Sequence, residues 1–292
     1  MKVCSRLLLM LTFSTCVQAV PLITLDFDPN VTSAQRQVML DAAAFWNDLI
    51  LGYDLLHDST GGISPHYLDI AVSIPSIDGP NGTLGSAGPV ALQYFDNNPF
   101  GAPSFALWYS SEGEMEFDAA DVDSMMASNT FFGVVLHEMA HVIGIGTLWD
   151  VNNNVNGTNY EIYQVSAGDY VGPNALQAWK TEFGQSAATS VPIEQGGGPG
   201  TAGGHWDEID NGAGNTGIVS NISGLDFSQE LMTGWASSSF LLSTVTLGGL
   251  DDLGYVVDYS RAGLISYNPV PEPSVTLLCF FGAALGMRRK RA

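Results

Sequence analysis

The stretch HEMAHVIGIGTLW, residues 137–149, decides how this chain is read. Residues four apart stack on one face of a helix, so His137 and His141 can aim both imidazoles at one point while Glu138 stands beside them. That spacing suits a metal whose bound water gives up a proton to a carboxylate; zinc lowers the pKa of such a water to about 7. The plain alternative is a core helix in which two histidines only fill space. The surroundings favour the metal: Phe131, Val134, Val135 and Leu136 supply a packing face, and Asn129 or Thr130 supplies a cap. The whole chain has only five histidines.

A catalytic zinc keeps three protein ligands and one open position, so a third ligand is required. In the compact metzincin pattern HExxHxxGxxH it follows at once. Here Gly144 is in place but residue 147 is threonine, which leaves His57, His66 and His205, or a carboxylate, as candidates.

HEMAHVIGIG, followed far downstream by GGHWDE, ELMTGW and LDDLGY, resembles the leishmanolysin-like metalloproteases, bacterial members above all. These are metzincins in which an insertion displaces the third histidine. The resemblance runs from about Asn129 to Tyr255. It implies that His205 is the third zinc ligand and that Met232 lies in the tight turn beneath the metal. It also implies a zincin fold: an upper lobe of mixed sheet and helices that includes the HExxH helix, over a loop-rich lower lobe. Glu230, just before Met232, reads as structural, with a supporting role for a ligand as the alternative.

The two ends read as addresses. Lys2 and Arg6 precede the apolar run Leu7–Phe13, and Val17-Gln18-Ala19 offers small residues for cleavage, which describes a signal peptide over 1–19. At the other end stand Pro271-Glu272-Pro273, an apolar run from Val275 to Met287, and four cations at 288–291. Cations after an apolar run suit a short membrane segment with its basic end in the cytoplasm. The three-part order resembles the PEP-CTERM sorting signal of Gram-negative bacteria, which implies an exosortase-type enzyme as partner and removal of residues 269–292 on export. The chain is then expected in the periplasm, at the cell surface or in the extracellular matrix, touching the membrane only through its ends.

Between the ends, residues 20–268 form one expected peptidase domain. The net charge of the chain is −21, and of its basic residues only Arg36, Lys180 and Arg261 fall in this domain, against 29 acidic ones. Such a surface repels nucleic acid and anionic lipid. All three cysteines, Cys4, Cys16 and Cys279, lie near the ends, so the domain has no disulfide.

The pattern of the first half predicts an α+β fold: a strand at Leu22–Phe27, then a helix capped by Thr32 or Ser33 with Val38, Met39, Ala42, Phe45, Trp46 and Leu49 on its apolar face. Strands follow at Tyr67–Ile74, Val90–Phe95 and Glu114–Phe117, with the turn-rich SIDGPNGTLGSAG between the first two. The second half is rich in Asn and Gly, with a helical pattern at Ala175–Phe183. In DVNNNVNGTNYE, residues 150–161, Asp150, Asn152, Asn154 and Asn156 alternate and Glu161 stands twelfth, as in a calcium loop; Val155 occupies the position where an EF-hand needs glycine. An Asn-rich turn is the plainer reading, with bound Ca2+ the alternative.

Together these features predict an exported zinc endopeptidase with Glu138 as general base and acid on a protein or peptide substrate. The competing reading is a surface or matrix binding protein that keeps the scaffold with structural zinc. Glu138 speaks against it, since a structural site has no use for a base.

Overall fold

The computed structural model describes residues 22–54, 63–64, 67–94, 107–153, 161–164, 167–198, 200–208, 215–237 and 239–267. The expected signal peptide, the sorting segment with Pro271, Glu272 and Pro273, His57, His66 and Asn154 lie outside them. In chain order the first elements are β1 (Ile23–Phe27), α1 (Ser33–Leu49), β2 (Ile50–Asp54), β3 (Ile63–Ser64), β4 (Leu68–Ser73), β5 (Gly85–Tyr94), β6 (Trp108–Phe117), α2 (Val122–Ser128) and α3 (Phe131–Ile143). They are followed by β7 (Tyr163–Gln164), β8 (Asp169–Tyr170), α4 (Pro173–Glu182), β9 (Val191–Pro192), β10 (Phe240–Leu242), α5 (Thr244–Asp252), β11 (Tyr255–Val257) and β12 (Gly263–Ile265). This is a mixed α+β fold. Strands after α3 have two or three residues each, and turns carry most of that half.

The main sheet has the order β1-β4-β6-β5, with β1, β4 and β6 parallel and β5 antiparallel at the edge. Alternation makes it two-faced: Leu68, Ile70 and Val72 of β4 and Met115 and Phe117 of β6 are buried, while Glu112, Glu114 and Glu116 face solvent. Helices α1 and α3 pack together, and the buried Trp46 donates its indole N–H to Leu136 O (3.2 Å). The start of α1 is a capping box: Gln35 N donates to Thr32 Oγ1 (3.4 Å) and Thr32 N to Gln35 Oε1 (2.8 Å).

Two local expectations are corrected. The turn-rich stretch ends at Leu84, because Gly85–Gly88 join β5 opposite Phe117–Glu114. Pro89 and the glycines read as turn signals in isolation, but pairing with β6 overrides them, and the register shifts just after Pro89, which has no N–H to give. Asn129 does not start α3. It ends α2 in the left-handed conformation (φ 59°), and Thr130 takes the N-cap position without a side-chain capping bond. Helix α4 starts at Pro173, and its first N–H groups are bonded from afar, Asn174 N and Ala175 N donating to Asp252 at the end of α5.

Among the described residues no helix is long and apolar enough to cross a membrane.

Candidate metal centre

Every residue of α3 except His137 is buried, so hydrophobic periodicity could not have singled out a functional face. His137 and His141, one turn apart, bring their Nε2 atoms to 3.0 Å. Gly144 (φ 141°) ends the helix, and the turn after it returns Ile145 O to His141 Nδ1 (2.9 Å). From a separate loop, His205 enters with its Nε2 3.0 Å from that of His141 and 3.1 Å from that of His137. Its Nδ1 faces Thr201 O (2.9 Å), and His137 Nδ1 faces Leu231 O (2.7 Å).

A carbonyl oxygen only accepts hydrogen bonds, so each Nδ1 must carry the proton and each Nε2 of a neutral ring must present a lone pair. Burial favours the neutral rings. Burial and the neighbouring His205 hold His137 down to about 3, burial and both neighbours hold His141 well below its ordinary range, and burial lowers His205. Three lone pairs about 3 Å apart repel one another unless a cation sits among them. Sides of 3.0–3.1 Å allow one ion with bonds of about 2.0–2.1 Å to touch all three corners, and an all-imidazole donor set suits zinc. Among the described residues this is the one group of side chains so converged.

The sequence model of leishmanolysin, the M8 peptidases, matches residues 109–271, a span that contains all three histidines. The chain belongs to the leishmanolysin family. No curated protein matches it significantly. Membership implies a metallopeptidase, a hydrolase acting on peptides with zinc as its metal.

In this leishmanolysin-family chain Glu138 is buried beside the two helical histidines, and burial pushes its carboxyl up to about 8. A cation at the imidazoles would counter that by favouring the carboxylate. Gly85 of the edge strand leaves it room: a Cβ there would lie 2.9 Å from Glu138 Oε1. The centre opens into a cleft of about 920 Å³ whose walls include Leu84, Val134, Leu231, Trp235 and Phe240.

Met232 is fully buried in the turn that supplies Leu231 O to His137, and its own carbonyl accepts from Trp206 N (3.0 Å), next to His205. Of the candidate calcium residues, Asp150, Asn152 and Glu161 are among the described residues and Asn154 is not. Asp150 lines the cleft, and Glu161 is exposed and accepts from Gln164. The buried Asn152 spends its side chain on the backbone of Trp108, with Oδ1 accepting at 2.7 Å and Nδ2 donating at 3.0 Å.

The groups that orient the imidazoles escaped sequence reading because they are backbone carbonyls, which every residue carries. One glycine gives an indirect signal. Gly146 has φ +77°, and a Cβ on it would come within 2.1 Å of Gly204 O, beside His205. Gly146→Ala is expected to push the two loops apart and weaken zinc binding by about tenfold or more, as damage around ligating histidines does. Competition against a chelator measures this, and unchanged affinity would show that the loops separate without moving His205.

Proposed function

We propose that this chain is an exported zinc endopeptidase of metzincin type, with zinc held by His137, His141 and His205 and Glu138 as general base and acid. The convergence of three Nε2 lone pairs beside a buried carboxylate, at the floor of an open cleft, carries this reading. Bound zinc supplies Lewis acidity to the water and the scissile carbonyl that reach it. Glu138 takes the proton of the attacking water and returns it to the departing amine nitrogen. Its buried place beside His137 and His141 suits a group that passes a proton between the two steps at that point. Leu231 O, Ile145 O and Thr201 O keep the imidazoles in the tautomer that turns Nε2 inward. Met232 belongs to the Met-turn under the site.

On the same reading, residues 1–19 direct export, 20–268 form the peptidase, and 269–292 serve an exosortase-type enzyme through Pro271, Glu272 and Pro273. The test is elemental analysis of the purified protein beside a casein-cleavage assay with and without chelator. One zinc per chain and cleavage that chelator stops and zinc restores are expected. Stoichiometric zinc with no cleavage of any unfolded protein would favour the binding-protein alternative, and absence of zinc would end both.

A further inference from the structure

Glu230 is 2% exposed and takes part in neither metal binding nor the proton transfer described above. Its Oε2 accepts from Met232 N (2.5 Å), and its Oε1 from Thr246 Oγ1 (2.6 Å), Ser243 Oγ (2.8 Å) and Ser243 N (3.2 Å). The N–H of Met232 and the C=O of Leu231 belong to one peptide group. That group is planar and trans, so its two ends point in opposite directions, the N–H at Glu230 and the C=O at His137 Nδ1. A second connection runs toward His205: its neighbour Trp206 donates Nε1–H to Thr246 Oγ1 (2.9 Å), and that hydroxyl donates to Glu230.

We propose that Glu230 is a positioning residue of the metal centre, its carboxylate gripping the Leu231–Met232 peptide so that the Leu231 carbonyl is held and polarised against His137. The inference rests on reading the three histidines as the metal centre. Its physical basis is twofold. A clamp on the N–H end of a rigid plane sets the direction of the C=O end. The hydrogen bond that Oε2 accepts at the N–H end also polarises the peptide and draws electron density toward the carbonyl oxygen, which makes it a better acceptor for Nδ1–H and leaves Nε2 a stronger donor. The carboxylate thereby acts on a ligand that it does not touch.

The test compares wild type, Glu230→Ala, Glu230→Gln and, as a control for damage to a buried carboxylate, Asp252→Asn. Asp252 accepts from Asn174 N, Ala175 N and Tyr170 Oη, and is bonded to none of the three histidines. Zinc affinity is read by chelator competition, and ligand geometry by the visible absorption of the cobalt-substituted protein. Glu230→Ala is expected to weaken zinc binding about 10–100-fold and to shift the cobalt bands. Glu230→Gln keeps the shape and one acceptor but turns a donor toward donors, so it falls between Ala and wild type; it also carries the test if the alanine variant does not fold. Asp252→Asn should lower thermal stability while leaving affinity within about twofold and the cobalt bands in place. Wild-type affinity and an unshifted cobalt spectrum in Glu230→Gln would reduce Glu230 to a brace of the fold and overturn the inference alone. A wild-type protein that binds no zinc would overturn the metal-centre reading and this inference with it.

Discussion

Replacement of Glu138 by glutamine is expected to lower kcat/KM on an unfolded protein by about 10²–10⁴-fold, the contribution of a positioned general base, while zinc content stays at the wild-type level. Glutamine has the same shape and fits beside Gly85, but it cannot take a proton from water. The variant also isolates a pH effect. The carboxyl of Glu138 is raised from 4.5 to about 8 by burial, so between those values the folded, metal-free protein holds a proton that the unfolded chain has released. Stability of the metal-free wild type therefore carries a contribution that falls as pH rises through this window. Glutamine has no proton to lose. Metal-free Glu138→Gln should thus gain on wild type from pH 4.5 to pH 8, by on the order of 4 kcal/mol at the upper end. Urea midpoints at both pH values measure it, and a difference that stays flat with pH would mean that Glu138 is not held in a desolvated site.

His141→Ala should cost the most. It removes the imidazole whose Nε2 lies 3.0 Å from both of the others and leaves Ile145 O without its donor. Structural zinc sites bind with roughly 10–16 kcal/mol over four ligands, so losing one of three is expected to weaken zinc by about 10²-fold or more and to bring cleavage to background. Chelator competition and the casein assay report both. The remaining pair, His137 and His205, still has its lone pairs 3.1 Å apart, so some zinc should return at high concentration without activity. Full occupancy at wild-type affinity would show that His141 is a core residue, the plain reading of the motif.

Much of this was written locally. The i, i+4 histidines, the Thr32–Gln35 box and the alternation of β4 depend on neighbours a few residues apart, and a helix or a strand turns such spacing directly into a shared face. Resemblance to a family, rather than any local rule, pointed to His205, 64 residues beyond His141. Where local signals competed, packing decided. Gly85 and Pro89 look like turn residues, yet the long β6 draws them into the sheet, and Asn129 serves the helix behind it instead of the one ahead.

The sequence by itself therefore determined that a helix would carry His137, Glu138 and His141 on neighbouring positions and that the fold would mix helices with a two-faced sheet. Tertiary structure alone decided that three Nε2 atoms meet within 3.0–3.1 Å, that each Nδ1 is held by a carbonyl, and that Glu230 grips the peptide behind one of them. The physical reason is that a carbonyl has no identity in sequence. Its use as a ligand's partner depends on where distant loops come to rest, and that is settled by how the whole chain packs.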